Sequence, residues 1–300
     1  MSNPLTNQNK AYLFAALAIF FWSTVASASK LSLEYLSPIQ LVFYATLFSI
    51  AVLFTIILVQ GKFSLIWRYS KDELIRLAML SVLNPCLYYI ILFEAYDVLS
   101  AQEAMAINYS WVVMMVLLSI PILKQRIGFR AFLAVILSYV GVLIIATKGN
   151  LLLFEFGNTR GVVLALSTTV IWALFWLFNT KKSGDIVVSL FLIFLFSLPF
   201  IMMAVLLYST FVWPSYQGLL GATYIGLFEM GITFVLWQSA LSYSSTVARV
   251  TSLAFITPFL SLVVLYFVID EVIMLSTVIG IVLIIVGLLL QKHFTDKSNY

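Results

Sequence analysis

Apolar runs of about 18 or more residues follow one another along nearly the whole of this 300-residue chain. A helix of that length crosses the roughly 30 Å hydrocarbon core of a membrane. Only helices and closed barrels satisfy every backbone hydrogen bond inside lipid, and barrel strands alternate apolar and polar residues. Because these runs are continuous, we predict an all-α integral membrane protein. The composition agrees, since 63% of the residues are hydrophobic and 9% are charged.

Ten transmembrane helices are predicted from these runs, with both termini in the cytoplasm. With the N-terminus inside, only Lys30, Lys148 and Arg160 of the 16 Lys and Arg residues lie outside. The opposite orientation reverses this bias, so the positive-inside rule decides. Because the basic residues lie in short connections, we expect no nucleic acid partner. The predicted spans are residues 11–29, 38–60, 73–97, 101–122, 129–147, 159–179, 186–208, 216–240, 247–268 and 273–291.

An internal repeat relates the two halves of the chain. The stretch ILKQRIGFRAFLAVILSYVGVLI aligns without gaps to VIDEVIMLSTVIGIVLIIVGLLL and pairs Gln125 with Glu271. AIFFWS and TTVIWA align in the same order and pair Trp22 with Trp172. Because five is an odd number of spans, the second copy must lie upside down in the membrane. We therefore predict two inverted five-helix repeats, residues 1–148 and 149–300, with a binding site near the midplane.

Small residues recur at a seven-residue spacing in the fifth and tenth spans. They are Ala134 and Gly141 in one repeat, and Gly280 and Gly287 in the other. A spacing of seven places them on one helix face, which predicts that each span packs closely on a neighbour.

Two polar residues occupy matching depths in the third and eighth spans. The repeat alignment pairs Asn84 with Glu229, and a buried ionisable group normally faces a bundle interior or a wet cavity. We predict that both line a shared central cavity; the alternative is a protonated Glu229 bonded to a neighbouring helix. Pro85 frees the carbonyl of Ser81 and kinks the helix, and Tyr88 is expected one turn beyond Asn84 on the same face.

Aromatic residues inside the spans suggest a box for a flat or partly apolar solute. Rings of this kind fill bundle cores, but they also stack on a solute or contact an ammonium group. Asn108, Tyr109 and Trp111 cluster in AINYSWV of the fourth span. The predicted substrate-binding residues are Trp22, Asn84, Tyr88, Asn108, Tyr109, Trp111, Trp172, Trp176, Glu229 and Trp237.

A family resemblance covers almost the whole chain. It is carried by FFWSTVASASK, AQEAMAINYSWVVMMVLLSIP, VIWALFWLFNTK and SLAFITPFLSLVVLYFVIDEV. These stretches resemble the EamA type of the drug/metabolite transporter superfamily, and the Asn-Tyr-x-Trp element is most similar to bacterial aromatic amino acid exporters. The resemblance implies ten helices, export by alternating access, and a cavity lined by spans one, three, four, six, eight and nine.

The chain departs from the family pattern at three positions. Val112 stands where relatives commonly have Pro, Gln125 where a Glu is usual, and Tyr44 in a region where many relatives have Arg. These departures leave the expected fold unchanged but weaken the transfer of a substrate from the family.

The sequence thus predicts a secondary transporter in a bacterial inner membrane that exports amino acids or similar small metabolites. The chain has no G-x-x-x-x-G-K-[ST] loop, so we expect no ATP drive within it, and we expect no cofactor or metal. Glu229 either carries a proton as the coupling ion or binds the ammonium group of the substrate. In both cases Glu229→Gln should impair transport and leave folding intact.

Other functions compete with export. An uptake carrier or exchanger for another metabolite, such as S-adenosylmethionine or a drug-like solute, is the main alternative. A channel is disfavoured because polar rings do not repeat along the spans. A membrane-embedded enzyme is disfavoured because the only histidine, His293, follows the last span and no catalytic motif accompanies it.

Overall fold

A computed structural model describes residues 4–124, 128–150, 157–179, 184–244, 250 and 253–298. These residues contain helices and no strand. Gln125 of the repeat alignment and Arg249 of the predicted orientation lie outside them, as do Arg126, Lys181 and Lys182. The helices are α1 (Pro4–Leu33), α2 (Pro38–Val59), α3 (Lys71–Ser81), α4 (Tyr88–Val98), α5 (Ala101–Asn108), α6 (Trp111–Leu123), α7 (Phe129–Ala146), α8 (Thr159–Asn179), α9 (Ile186–Tyr208), α10 (Tyr216–Tyr224), α11 (Ile232–Tyr243), α12 (Thr257–Ile269) and α13 (Leu275–Ser298).

Eight helical segments in the described part of the chain are long and apolar enough to cross a membrane. They match the first eight predicted spans, and the last two correspond to the shorter apolar helices Ala254–Ile269 and Leu275–Gln291. The ninth predicted span begins among residues 245–252, most of which the structure does not describe. The predicted all-helical membrane fold is therefore confirmed, and the count of ten spans stays a prediction.

The third span is interrupted between α3 and α4. Residues Val82–Leu87 form a wider π-type turn, in which Asn84 has an extended backbone with φ −143° and ψ 125°. Pro85 lacks an N–H and disfavours a helical conformation at the residue before it, so the α-helix cannot continue unbroken. The prediction that Asn84 and Tyr88 lie one turn apart on one helix face is therefore wrong.

The eighth span is interrupted at the matching position. Residues Ile225–Glu229 form a second π-type turn between α10 and α11, and Gly231 follows with φ −109° and ψ −88°. Counted from the start of each 28-residue span, Asn84 and Glu229 are both the fourteenth residue. The fourth span is also divided, because α5 ends at Asn108 and α6 begins at Trp111.

Helix α7 packs closely on α13. A side-chain carbon added at Gly141 would collide with the carbonyl oxygen of Gly280, and one added at Gly287 would collide with Ser138. Ser138 Oγ also donates a hydrogen bond to the carbonyl oxygen of Ile284 over 3.1 Å. The predicted close packing at the seven-residue spacing is confirmed, and the neighbour of each span is the other one.

Helix contacts recur in pairs across the two halves. The first span contacts the eighth through α1 and α11, and the sixth contacts the third through α8 and α4. The first span also contacts the ninth through α12, and the sixth contacts the fourth through α6. The two halves therefore make equivalent contacts. If each span is replaced by its counterpart in the other half, the contact between spans one and eight becomes that between spans six and three. The contact between spans one and nine likewise becomes that between spans six and four.

Candidate functional site

A cavity of about 280 Å³ lies among α1, α4, α5, α6, α8, α11 and the start of α12. Its volume is close to the lower limit of about 300 Å³ for small-molecule pockets. Nine of the ten predicted substrate-binding side chains line it: Trp22, Tyr88, Asn108, Tyr109, Trp111, Trp172, Trp176, Glu229 and Trp237. The interrupted spans thus bring residues from both halves of the chain to one site.

Asn84 is the predicted site residue that does not line this cavity. Its side chain is fully buried, and neither its Oδ1 nor its Nδ2 has a hydrogen-bond partner among the described residues. The extended backbone at Asn84 removes it from the helical period that places Tyr88 on the cavity wall. The expected pairing of Asn84 with Glu229 across the cavity is therefore corrected.

Two groups of aromatic rings line the cavity. Trp22 of α1 and Trp237 of α11 lie with ring centroids 5.1 Å apart and planes inclined by 54°. The ring centroid of Trp172 in α8 lies 4.4 Å from that of Tyr88 and 6.3 Å from that of Trp111. These tilted rings form an aromatic surface along the cavity wall.

Asn108 holds the Tyr88 side of the wall in place. Its Nδ2 donates to the Tyr88 hydroxyl over 3.1 Å, and its Oδ1 accepts a hydrogen bond from Thr168 Oγ1 over 2.9 Å. These bonds join α4, α5 and α8. The Asn108 amide therefore orients a ring of the cavity, in addition to lining it.

Glu229 is the acidic side chain of the wall. Its side chain is only 6% exposed, and its Oε1 accepts a hydrogen bond from the Tyr89 hydroxyl over 3.0 Å. Its Oε2 is buried and has no partner among the described residues. An uncompensated carboxylate oxygen in an apolar site is costly, so this atom is a candidate for contact with a bound solute.

The backbone around Glu229 is held against α2. Ser49 Oγ donates a hydrogen bond to the carbonyl oxygen of Met230 over 3.1 Å. A side-chain carbon at Gly226 would collide with the carbonyl oxygen of Ala45. The lack of a side chain at Gly226 therefore permits the close approach that fixes the interruption and with it the carboxylate.

Sequence reasoning missed several residues of the site. Leu92 and Tyr96 line the cavity four and eight residues after the predicted Tyr88 along α4, and that helical period was a usable signal. Tyr89 and Thr168 act through their hydrogen bonds to Glu229 and Asn108. No sequence spacing indicates those bonds, because each joins distant parts of the chain.

The described wall contains one carboxylate and no Lys, Arg or His. The described residues also contain no group of three or more His, Cys, Asp or Glu that could hold a metal ion. The site can therefore bind an apolar or aromatic body through its rings and a positive charge through Glu229.

A second hollow, of about 470 Å³, lies where α1, α4 and α12 end, and charged residues line it. Lys30, Glu34, Asp97, Asp270 and Glu271 line it. At the same end Lys148 Nζ lies 3.6 Å from Glu103 Oε1. This hollow is separate from the aromatic cavity.

The EamA-like transporter family matches residues 9–147 and 159–291, which is most of the chain. The chain belongs to the EamA-like transporter family. This EamA-like transporter is 24% identical over 299 residues to an uncharacterized transporter of Clostridium kluyveri, covering 97% of this chain and 95% of the relative. It is 23% identical over 285 residues to the uncharacterized transporter YdfC of Bacillus subtilis, covering 95% and 91%.

The fold of this EamA-like transporter resembles one already solved. A crystal structure of another protein matches it with a TM-score of 0.66 and 19% identity, covering 97% of this chain and 99% of that one. The family and the apolar helices identify a multi-pass membrane transporter. The descriptions of these relatives name no substrate, so amino acid export remains a prediction.

Proposed function

We propose that this EamA-like transporter is a secondary carrier that exports amino acids or similar small metabolites across a bacterial inner membrane by alternating access. The observation that carries the proposal is the aromatic cavity, to which interrupted spans from both halves contribute. Interrupted helices at a central site are a recurring feature of secondary transporters. The nine predicted residues on its wall are the proposed substrate-binding residues, and no cofactor is invoked.

We further propose ten spans in two inverted repeats, residues 1–148 and 149–300. Three observations support this arrangement: the paired helix contacts, the interruptions at matching positions, and the packing of α7 on α13. The family also matches each half separately. In such a carrier, one bundle rocks against the other and exposes the central site to the two sides in turn.

Both termini are placed in the cytoplasm in this proposal. The distribution of Lys and Arg supports that orientation, because only Lys30, Lys148 and Arg160 would then lie outside. Cysteine introduced at Asn150 and at Gly61, in connections at opposite ends of the bundle, tests it by labelling from the periplasm of intact cells. We expect a thiol reagent that cannot cross the membrane to label the first and spare the second. Labelling of the second alone would reverse the orientation.

Counterflow in proteoliposomes tests the carrier mechanism. Vesicles containing the purified protein are loaded with an unlabelled solute and diluted into a trace of the same solute with label. An alternating-access carrier accumulates the label transiently above equilibrium, because influx of label is exchanged for efflux of the load. A channel gives only equilibration, and this outcome would contradict the proposal. Repeating the assay with an imposed pH gradient distinguishes proton coupling from facilitated diffusion.

The direction of transport needs a second preparation. Accumulation in inside-out vesicles together with depletion from intact cells supports export. Accumulation in intact cells would instead establish the alternative, an uptake carrier or exchanger for another metabolite.

A further inference from the structure

We propose that the substrates of this cavity are organic monocations: amines or quaternary ammonium compounds with a small apolar or aromatic body and no free carboxylate. This inference rests on the proposed carrier mechanism. Of the substrates proposed above it keeps the small metabolites that carry an amine or ammonium group, and it excludes free amino acids, because these carry a carboxylate. Glu229 would neutralise the charge, and the aromatic wall would bind the body.

The charges of the wall are the first argument. Glu229 is the one carboxylate on the described wall, and no Lys, Arg or His stands beside it. A monocation leaves the loaded cavity neutral. A zwitterionic amino acid would bring a second carboxylate into a largely apolar site without a cationic partner, and an unpaired buried charge is strongly disfavoured. The composition of the wall therefore selects against a free carboxylate on the solute.

The position of the carboxylate is the second argument. One oxygen of Glu229 is held by Tyr89 over 3.0 Å, while the other is buried and has no partner among the described residues. The bond to Tyr89 fixes the direction of the carboxylate before a solute arrives. An ammonium group would supply the missing donor to Oε2, and a charge-assisted bond of this kind is stronger than a neutral one.

The aromatic surface is the third argument. A cation is attracted to the face of an aromatic ring, with Trp the most favourable, at up to about 6 Å from the ring centroid. Trp22, Trp172 and Trp237 all lie on the wall with Glu229, and the rings of Trp22 and Trp237 are inclined by 54° rather than stacked flat. The same surface accommodates the apolar body of the solute.

Trp176 indicates which further polar group the solute can carry. Its Nε1 is a buried donor without an acceptor among the described residues, and its ring lines the cavity. One neutral N–H suits a hydroxyl, ester or amide oxygen, but it does not neutralise a carboxylate. The cavity therefore tolerates a neutral acceptor on the cation.

Three probes with the same phenyl ring isolate the effect of charge. Phenethylamine carries only the ammonium group, L-phenylalanine carries the ammonium and the carboxylate, and 3-phenylpropionate carries only the carboxylate. Binding to the purified full-length protein is measured by quenching of tryptophan fluorescence and by calorimetry. We expect the Kd of phenethylamine to be about tenfold or more below that of L-phenylalanine, and no competition by 3-phenylpropionate.

Variants then assign the preference to the carboxylate. Glu229→Gln should raise the Kd of phenethylamine by about tenfold and bring it close to that of L-phenylalanine. Glu94→Gln is the matched control, because Glu94 pairs with Arg160 over 2.9 Å, away from the cavity, and we expect unchanged binding. Size-exclusion chromatography and thermal unfolding check that both variants fold. If Glu229→Gln does not fold, the probe series on the unmodified protein still decides the substrate class.

The outcomes separate this inference from the transport proposal. Equal or tighter binding of L-phenylalanine, or no binding of phenethylamine, overturns the monocation assignment even if counterflow of another solute shows a working carrier. Tight binding of phenethylamine without counterflow supports the assignment and contradicts the carrier mechanism. Retention of the preference for phenethylamine in a folded Glu229→Gln variant overturns the role of Glu229.

Discussion

The Tyr89 hydroxyl donates a hydrogen bond to Glu229 Oε1 over 3.0 Å and so joins the third span to the eighth, both of which are interrupted near the middle. Tyr89 is fully buried and is the second residue of α4, the helical segment after one interruption, whereas Glu229 is the last residue of the other interruption. A hydrogen bond is stronger in a low-dielectric interior than in water, and breaking it would leave buried polar groups unpaired. This bond therefore fixes the direction of the carboxylate. Tyr89 acts through Glu229 and is therefore a positioning residue.

Tyr89→Phe should weaken solute binding while leaving the protein folded. The substitution keeps the ring but removes the donor, and a bond to a charged group contributes about 1.5–3 kcal/mol. We expect the KM for a transported amine to rise about tenfold, with a smaller change in kcat, because the carboxylate loses its fixed direction. Proteoliposome flux measures both constants. An unchanged KM with a lowered Tm would reduce the bond to a role in packing.

Asn108→Ala should destabilise the protein and loosen Tyr88. The substitution leaves the buried Tyr88 hydroxyl without its amide donor, which costs about 1–3 kcal/mol. It also removes one of the two acceptors of the Thr168 hydroxyl, which keeps its bond to the carbonyl oxygen of Ala165 over 2.6 Å. Thr168→Val is the comparison, because it removes only one of the two bonds that Asn108 makes to these side chains. We expect a lower Tm for both variants and a larger drop for Asn108→Ala. Equal Tm values would contradict the bridging role of Asn108.

Gly226→Ala should be poorly tolerated. The added methyl group would collide with the carbonyl oxygen of Ala45 and with Cβ of Phe48 on α2, and a backbone atom cannot move aside cheaply. Overpacking of this kind costs about 1–3 kcal/mol, and it would also displace the neighbouring Glu229. Gly128→Ala is the matched control, since an added carbon there meets nothing within 4 Å. Thermal unfolding of the two purified variants should show a lower Tm for Gly226→Ala alone.

Particular residues show how far the sequence could predict this molecule. Glu229 and the buried Trp residues were found because a charge or a ring inside a long apolar run is conspicuous by composition alone. Asn84 looked equally conspicuous, yet its backbone leaves the helical period at Pro85, and a pattern that assumes continuous helix cannot follow it. The sequence pattern therefore located the cavity, but it misplaced the residue at the interruption.

The hydrogen-bond partners could not be predicted, for a different physical reason. Tyr89 meets Glu229 across 140 residues of sequence, and Thr168 meets Asn108 across 60. Such pairs depend on the rotation of each helix about its axis, which is fixed by packing rather than by local propensity. The small residues at Gly141 and Gly280 were predictable as a packing face, but the identity of the neighbour was visible only in the fold.

Glu271 should stabilise the start of α5. Its two carboxylate oxygens accept hydrogen bonds from the backbone N–H groups of Ala101 and Gln102, each over 3.1 Å. The Gln102 side chain returns the contact, donating to the carbonyl oxygen of Val272 and accepting from the N–H of Met274, each over 2.8 Å. The connection between α12 and α13 is thereby tied to the helix that leads to Asn108. A negative charge at a helix N-terminus also favours the aligned peptide dipoles by about 0.3–1 kcal/mol.

Glu271→Gln removes that charge and replaces one acceptor oxygen with a donor group. We expect faster hydrogen exchange across residues 101–108 and a loss of about 1–3 kcal/mol in stability, because one buried N–H loses its acceptor. Asp270→Asn is the control, since Asp270 adopts a left-handed backbone with φ 51°, which Asn also accepts. Exchange in this segment, measured by mass spectrometry, should be unchanged in the control. Equal protection in both variants would show that the capping bonds contribute little, and that packing alone holds α5.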